Sequence, residues 1–525
     1  MQARAKVFSP AGLGGWNAYF LAKFLMLWLG LISFHPLENL AFAAVLLVPF
    51  RSDRWRRMRS VAAWPVAVAL LYFDSWLPPF RRALSQANLL TNFSFDYLVE
   101  LADRFVSLPV VAALALTLAA YLILARWLRF SVLVMGALLA LAVNDGLQAS
   151  RSRAERAGMA HAAQADDKDA LLRSFFAAES ARRVAMHAPA PGAAPFDVII
   201  VQVCSLSWDD LRAVGQDSHP LWQQFDLLLT RFNSASAYSG PAAIRILRAP
   251  CGQQAHGDLY NPAPAPCYLM GSLQQAGLEP ALALNHNGKF DDFLKFVRAQ
   301  RGLEKTVPLA LDGLAEAQHS FDGSPIYDDA DVLGRWLEAR RKSPAARVAL
   351  FYNTISLHDG NKLAGQASGA SLDTYGPRVK RLLDDLQGFV QSLERSGRRA
   401  VLVVVPEHGA AIRGDRMQVA GLREIPSPAI TLVPVGIKVI GGHRSDAQVR
   451  VDEPTSYLAV AEVISRMVAR SPFAGGSFSA AEYADALPVT SFVAQNEDAA
   501  VMETGGRYFL KVGKEDWAPY AAEMQ

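Results

Sequence analysis

The sequence predicts a multi-pass α-helical membrane domain of five spans followed by an α/β/α sandwich. Its 525 residues are 51% hydrophobic and only 19% charged, whereas soluble proteins carry about 25% charged residues. Long uncharged segments such as 108–125 cluster in the first 150 residues. After residue 196, short β-branched runs alternate with amphipathic helical patterns, which is typical of α/β domains. The apolar content excludes disorder as the main state, and the net charge of +3 gives no case for nucleic-acid binding.

Five apolar segments make up the predicted membrane domain, residues 1–150. A spanning helix needs about 20 apolar residues. The first and fourth segments reach that length, and Lys23 in the first can extend its ammonium to the membrane surface. The second and third are short, and either could be re-entrant. The segments are 16–34, 36–50, 61–73, 108–125 and 131–147.

Positive charges in the connecting loops predict the orientation of these segments. Loops rich in lysine and arginine stay in the cytoplasm, so the N-terminus, the second loop and the fourth loop should lie inside. All three regions can lie in the cytoplasm only if all five segments cross the membrane. The chain after the fifth segment is then outside the cytoplasm. Loop 77–107 is then an amphipathic element at the outer leaflet or a simple connector, and no cleavable signal peptide is evident. The charges are Arg4, Lys6, Arg51, Arg54, Arg56, Arg57, Arg59, Arg126 and Arg129.

A linker and a second domain are expected after residue 150. Residues 151–195 are charged and alanine-rich, with a helical pattern around 170–185, and the proline-rich stretch at their end breaks any helix. Residues 196–525 are the predicted catalytic α/β domain. Three almost continuously apolar runs in it are typical of buried parallel strands. These runs are 198–203, 348–352 and 400–405, with helical patterns at 328–341 and 377–395 between them.

The residues that could bind a metal or take part in catalysis follow these three runs. Cys204 ends the first run, His358 follows the second, and Glu407 and His408 follow the third. Because the carboxyl ends of parallel strands meet at one edge of a sheet, these side chains should lie close together. Thiolate, imidazole and carboxylate are ligand types that zinc prefers. Ser239 opens a predicted helix, and its hydroxyl would complete a four-coordinate site.

Each residue also has a purely structural interpretation. Cys204 could be a small buried side chain, Ser239 a helix N-cap, and Glu407-His408-Gly409 a solvated turn. Together, however, they favour phosphoryl transfer. Zinc would lower the pKa of the Ser239 hydroxyl, and the helix N-terminus would hold the phosphate oxygens. His358 and a cation such as Arg423 would neutralise charge or protonate the leaving alkoxide.

Three motifs resemble a known family. They are Cys-Ser-Leu-Ser-Trp at 204–208, Ser-Gly-Pro-Ala-Ala-Ile-Arg at 239–245 and Pro-Glu-His-Gly-Ala-Ala at 406–411. They resemble the phosphoethanolamine-transferase branch of the alkaline-phosphatase superfamily, and within it the BcsG cellulose biosynthesis proteins. The lipid-A-modifying relatives generally use threonine as nucleophile and a carboxylate where Cys204 stands. This chain departs from them, and the departure favours the cellulose branch.

The resemblance implies a function for each of these residues. Zinc would be held by Cys204, Ser239, Glu407 and His408, with Ser239 as nucleophile, in a sandwich of alkaline-phosphatase type. A periplasmic domain anchored in the bacterial inner membrane would move phosphoethanolamine from phosphatidylethanolamine onto cellulose, through a covalent serine intermediate. Subunits of the cellulose synthase complex are the implied partners. The residues implied around the phosphate are Tyr238, His358 and Arg423.

The other two cysteines are predicted to have a different role. Cys251 and Cys267 flank a loop rich in glycine and proline, and outside the cytoplasm such a pair should form a disulfide. The alternative is that both are unpaired and that Cys204 is an inert buried thiol.

Alternatives to this reaction stay open from the sequence. The same fold could catalyse hydrolysis or phosphoglycerol transfer, and a non-catalytic protein could only organise a cellulose synthase complex. His286 and His443 are either substrate contacts or solvated loop residues.

Overall fold

The computed structural model describes residues 12–50, 52–75, 93–105, 108–160, 167–365, 371–415 and 417–520. It divides into two compact units. The first comprises Met1–Asn88 and Val99–Asp166, and the second Leu89–Leu98 and Asp167–Gln525. Three charges used to predict the orientation, Arg4, Lys6 and Arg51, lie outside the described residues, as does much of loop 77–107.

Each of the five predicted membrane segments contains a helix. Within the described part of the chain, however, one helix is long and apolar enough to cross a membrane, through its stretch Phe130–Leu147. The first segment forms a helix of 13 residues, because Gly30 takes a φ of +70° soon after it. Five spans are therefore not confirmed. The helices are α1 (Trp16–Trp28), α2 (Pro36–Leu47), α3 (Asp53–Phe73), α4 (Phe95–Phe105), α5 (Leu108–Leu124) and α6 (Phe130–Ala160).

Lys23 does not extend to the membrane surface, so that prediction was wrong. Its side chain is fully buried, forms an ion pair with Asp74 and donates a hydrogen bond of 2.7 Å to Asn39 Oδ1. Asn39 in turn donates to Asp74 Oδ2 over 2.8 Å. A buried charge is tolerated when it is paired and hydrogen-bonded, and this network links α1, α2 and the end of α3.

The second unit is built on a seven-stranded sheet. Its strand order is β10-β2-β9-β8-β1-β6-β3. The helices of this unit are α7 (Lys168–Ala181), α8 (Trp208–Ala213), α9 (Pro220–Gln224), α10 (Ser239–Leu247), α11 (Leu269–Gln275), α12 (Phe293–Arg298), α13 (Asp329–Lys342), α14 (Tyr375–Arg395), α15 (Pro428–Thr431), α16 (Tyr457–Ala469) and α17 (Ala480–Ala484). The strands are β1 (Asp197–Val203), β2 (Leu227–Asn233), β3 (Glu279–Leu284), β4 (Glu316–His319), β5 (Pro325–Tyr327), β6 (Val348–Thr354), β7 (Lys362–Leu363), β8 (Ala400–Pro406), β9 (Leu432–Ile440), β10 (Val449–Val451), β11 (Val493–Gln495), β12 (Ala499–Thr504), β13 (Arg507–Val512) and β14 (Ala518–Pro519).

Helices cover both faces of this sheet, which confirms the predicted sandwich. Helices α10, α11 and α16 pack on one face, and α13 and α14 pack on the other. The three predicted strands are β1, β6 and β8, and they are buried along their whole length. Because both faces are covered, these strands carry apolar side chains almost continuously.

The register of the central strands defines the edge where the site is built. Strand β1 pairs in parallel with β6 and β8, and Val203 lies opposite both Thr354 and Pro406. All three strands therefore end at the same edge. Strand β9 is antiparallel to β8, so the sheet is mixed, and two smaller sheets, β11-β12-β13-β14 and β5-β4-β7, complete the unit.

Candidate metal centre

Three buried metal-ligand side chains meet at the carboxyl edge of β1 and β8. Cys204 directly follows β1, and Glu407 and His408 directly follow β8. Their ligand atoms all lie within 4.8 Å of one another, and all three residues are buried. Neighbouring parallel strands end side by side, so residues about 200 positions apart in sequence converge there.

Ser239 faces this cluster from the start of α10. Its Oγ lies 3.3 Å from Cys204 Sγ and 3.4 Å from His408 Nε2. Pro241 occupies the first turn of the helix, where its missing N–H is not needed. The hydroxyl is therefore held both beside the three ligands and at a helix N-terminus, which attracts anions.

The electrostatics of the cluster fit a cation. Glu407 Oε2 is buried and accepts no hydrogen bond from any residue that the structure describes. Burial raises the pKa of the Glu407 carboxyl, and burial together with Glu407 raises the pKa of the Cys204 thiol to about 12. A bound cation would reverse both penalties, since it stabilises the anionic ligands. A thiolate, an imidazole and a carboxylate form a donor set suited to zinc.

The tautomer of His408 suits a ligand. Its Nδ1 lies 2.9 Å from the carbonyl oxygen of Gly409 and donates its proton there. The unprotonated Nε2 then points toward Ser239 and Glu407, whose Oε2 is 3.7 Å away. Burial and the positive charge of Arg423 lower the pKa of His408 well below its usual range, so the ring is neutral.

A second layer of buried side chains orients Glu407. Asn353 Nδ2 donates to Glu407 Oε1 over 2.7 Å. His286 Nδ1 accepts from the Gly288 N–H, so its Nε2 carries the proton and donates to Asn353 Oδ1 over 2.9 Å. Burial lowers the pKa of His286 to about 4, so this ring is neutral as well. His286 is thus a buried residue that supports Asn353, and it is not a solvated loop residue.

The structure brings the three predicted phosphate neighbours to this edge. Arg423 Nη1 donates to Ser205 Oγ over 3.0 Å and lies 3.3 Å from His408 Nδ1. The guanidinium of Arg423 is 5.9 Å from the ring centre of Tyr238, the residue before Ser239. Ser205 has a φ of +67°, a strained conformation of the kind that clusters at functional sites.

His358 lies on the loop after β6. Its Nδ1 is 2.7 Å from the carbonyl oxygen of Asp359 and donates there, which leaves Nε2 as the acceptor nitrogen. Burial and the positive charge of Arg423 lower the pKa of His358 to about 4. The imidazole is therefore neutral at physiological pH.

His443 lies away from this edge. It follows β9, which ends opposite Ala400, at the start of β8, whereas Glu407 follows the end of β8. His443 therefore lies at the opposite end of β8 from the Cys204–Glu407–His408 cluster. The reason is the antiparallel direction of β9, which the sequence pattern did not indicate.

The cysteines divide as expected from the sequence. Cys251 and Cys267 form a disulfide with a Cα–Cα distance of 5.0 Å, and Cys204 is free and buried.

Asn353 and Ser205 were missed in the sequence. Asn353 is a polar residue near the end of a mostly apolar strand, and it lies opposite Gln202 of β1. A polar pair near the ends of two buried strands is a signal that could have identified it. Ser205 carried no such signal, because it stands out through its backbone conformation alone.

Comparison with known families identifies both halves of the chain. The model of the "Cellulose biosynthesis protein BcsG C-terminal domain" matches residues 152–517, and that of the BcsG N-terminal domain matches residues 16–143. The cellulose biosynthesis protein BcsG of Salmonella typhimurium is 41% identical, over 97% of this chain and 96% of the relative. BcsG of Escherichia coli K12 is 39% identical over the same shares.

Several solved structures are similar at low sequence identity. An alkaline-phosphatase superfamily protein from Vibrio parahaemolyticus is 14% identical with a TM-score of 0.47, over 66% of this chain and 86% of that one. The zinc complex of the periplasmic domain of Escherichia coli EptC is 14% identical with a TM-score of 0.43, over 60% and 93%. Neisseria meningitidis EptA is 13% identical with a TM-score of 0.40, over 88% and 93%. On the evidence of the two domain matches and the two full-length relatives, the chain belongs to the BcsG family of cellulose biosynthesis proteins.

Proposed function

We propose that the chain is a zinc-dependent transferase that moves phosphoethanolamine from phosphatidylethanolamine to cellulose through a covalent intermediate on Ser239. One observation carries the proposal. Ser239 Oγ lies 3.3 and 3.4 Å from two atoms of the buried Cys204–Glu407–His408 cluster, at the N-terminus of a helix. This placement combines a nucleophile, a cation site and an anion site.

The proposed zinc ligands are Cys204, Glu407, His408 and the Ser239 hydroxyl. When bound, zinc would lower the pKa of that hydroxyl and screen the negative charge around it. The unpaired Oε2 of Glu407 and the unprotonated Nε2 of His408 are the chain's own features that support this assignment.

The residues of the chain act in two half-reactions. In the first, Ser239 Oγ attacks phosphorus and the bond from phosphorus to the diacylglycerol oxygen breaks. The proton that the Ser239 hydroxyl gives up is transferred to that oxygen, so the lipid leaves as the alcohol diacylglycerol. The N–H groups at the start of α10 and the Arg423 guanidinium stabilise charge on the phosphate oxygens. In the second, an acceptor hydroxyl attacks phosphorus, His358 Nε2 takes its proton, the bond from phosphorus to Ser239 Oγ breaks, and the proton is returned to Ser239 Oγ. Tyr238 lies beside the phosphate in both.

The location is part of the same proposal: inner membrane for residues 1–150, a linker at 151–195, and a periplasmic catalytic domain at 196–525. Leu89–Leu98 and Asp167–Gln525 belong to one compact unit. Two segments of one compact unit lie on the same side of the membrane, so the chain between residues 98 and 167 must cross it an even number of times. The fourth and fifth predicted spans are two such crossings, which supports the five-span topology. The Cys251–Cys267 disulfide also favours an oxidising compartment. Cytoplasmic activity of a reporter fused at residue 190 would contradict this topology.

The proposed acceptor and partners follow from the family to which the chain belongs. BcsG proteins are named for cellulose biosynthesis, so we propose cellulose as the acceptor and subunits of the cellulose synthase complex as partners.

The decisive experiment follows the nucleophile. The purified full-length chain is incubated with phosphatidylethanolamine and digested with a protease. The mass of the peptide that contains Ser239 is then measured by mass spectrometry. We expect a phosphoethanolamine adduct on Ser239 that is discharged onto added glucan. Ser239→Ala should abolish it, whereas Ser392→Ala, on the remote helix α14, should not.

The alternatives give other products. An adduct discharged only to water would indicate a phosphodiesterase. A glycerol phosphate adduct from phosphatidylglycerol would indicate phosphoglycerol transfer. Absence of any adduct, with cellulose modification unchanged in Ser239→Ala cells, would indicate a non-catalytic subunit.

A further inference from the structure

Residues 93–98 pack within the catalytic unit, although they lie in sequence between the apolar helices α3 and α5. The Ser94 N–H donates to the Phe321 carbonyl oxygen over 2.9 Å. Tyr97 is 7% exposed, whereas Phe95 is 78% exposed. Tyr97 therefore faces the catalytic unit, whereas Phe95 does not.

One set of contacts reaches the His358 ring through Phe321. The Phe321 ring centre is 5.5 Å from that of Phe93 and 5.9 Å from that of Tyr97. It is also 4.9 Å from the centre of the His358 imidazole, with an angle of 36° between the planes. Phe321 thus contacts both segment 93–98 and His358, and a shift of the segment would be passed to the imidazole by direct packing.

A second set reaches His358 through the neighbouring carboxylate. Tyr97 Oη donates to Asp359 Oδ2 over 3.0 Å, and Ser371 Oγ donates to Oδ1 over 2.8 Å. Asp359 is therefore held on both carboxylate oxygens, and its backbone carbonyl is the group that accepts from His358 Nδ1. Tyr97 fixes the partner that sets the tautomer of His358 and leaves Nε2 as the acceptor.

The next residue shows how closely the segment and this loop fit. Gly360 has a φ of +79°, and a Cβ there would come within 2.6 Å of Phe321 Cβ and 2.7 Å of Tyr97 Cε2. Only glycine is compatible with this approach. The close contact therefore depends both on the aromatic pair Phe321 and Tyr97 and on the absence of a side chain at Gly360.

We propose that Tyr97 is a positioning residue for His358, so that the catalytic loop is completed by a segment encoded between the membrane helices. The inference rests on the proposed function, in which His358 accepts the proton of the incoming hydroxyl. Discharge of the Ser239 intermediate would then require the contact between Tyr97 and Asp359, whereas zinc binding and formation of the intermediate would not.

The test separates the two half-reactions in full-length protein. The Ser239 adduct is formed with phosphatidylethanolamine, and its discharge by a soluble cello-oligosaccharide is timed in single turnover. The variants are Tyr97→Phe, His358→Gln and the double variant. Tyr483→Phe is the matched control, because Tyr483 is also buried and donates one hydrogen bond, to the remote Arg470 carbonyl oxygen over 2.7 Å.

Tyr97→Phe keeps the ring and removes the bond to Asp359. We expect discharge to slow about three- to tenfold, the effect of one lost hydrogen bond, with zinc content and adduct formation unchanged. In the His358→Gln background the same change should have no further effect, because the two residues act as one unit. Tyr483→Phe should discharge at the wild-type rate.

Three results would overturn the inference. They are wild-type discharge in Tyr97→Phe, an equal slowing with and without His358, and wild-type discharge in His358→Gln. In all three, adduct formation on Ser239 would leave the proposed transfer reaction standing. If the wild-type protein forms no adduct, the proposed function falls and the role of Tyr97 falls with it.

Discussion

Replacing Asn353 by leucine should weaken zinc binding although it removes none of the proposed ligands. Asn353 and Glu407 are both fully buried, and the 2.7 Å bond between them holds Oε1. This bond leaves Oε2 directed at Cys204 and His408. Leucine has a similar volume but no donor, so Glu407 Oε1 would be buried without a partner and the carboxylate would be free to rotate.

The magnitude follows from the lost bond. A buried acceptor left without its donor costs about 1–3 kcal/mol, which corresponds to roughly a 10- to 100-fold loss in zinc affinity at about 1.4 kcal/mol per factor of ten. Removing the support of a metal ligand has effects in the same range. His286→Phe should lose less, because Asn353 would remain and only its orientation would be released.

The assay is a competition titration of zinc against a chelator of known affinity. Asn285→Leu is the matched control, because Asn285 is buried at the end of the neighbouring strand β3. Its Nδ2 donates to Ser356 Oγ over 2.8 Å, and its backbone N–H donates to the Asn353 carbonyl oxygen over 3.2 Å, a bond that leucine keeps. Both variants should lose thermal stability, but only Asn353→Leu should lose zinc affinity. Equal zinc affinity in the two would refute the role of Asn353.

Three further outcomes are expected. Cys204→Ala should lose most bound zinc and activity, and full zinc occupancy measured by elemental analysis would disprove the ligand set. Replacing both Cys251 and Cys267 by serine should lower the free energy of unfolding by about 3 kcal/mol, for a sequence separation of 16, and leave zinc bound; an unchanged melting temperature would count against it. Burial and the carboxylates of Asp328 and Asp329 raise the pKa of Asp385 from 3.8 to about 7. Its ionisation therefore destabilises the folded state as pH rises through that window, so Asp385→Asn should raise the melting temperature more at pH 8 than at pH 5, and the reverse order would contradict the shift.

The metal cluster was predictable because it depends on one topological rule. Cys204, Glu407 and His408 follow strands recognisable from their continuous apolar character, and parallel strands that are neighbours end side by side. Local patterning therefore determined a contact across about 200 residues. The direction of β9 had no comparable signal in the sequence, and His443 was consequently not placed at the opposite edge.

The contact of Tyr97 with Asp359 could not be predicted in this way. It joins residues 262 positions apart, and an amphipathic pattern around Tyr97 does not indicate which surface it packs on. Segment 93–98 is part of loop 77–107, for which the sequence left open an amphipathic element or a simple connector. Its role depends on aromatic packing against Phe321, which tertiary structure alone determines.

The proposed zinc ligands and His358 are held in place by different parts of the fold, so variants of these parts should affect different steps of the reaction. Cys204, Glu407 and their partner Asn353 stand on or directly after buried strands of the central sheet, where close packing resists displacement. His358 stands on a loop whose position depends on Phe321 and Tyr97. Changes at the strand ends should therefore alter zinc affinity, and changes at the loop should alter the rate of discharge while zinc stays bound. A variant of Tyr97 that lost zinc, or one of Asn353 that slowed discharge at full zinc occupancy, would show that the two supports are not independent.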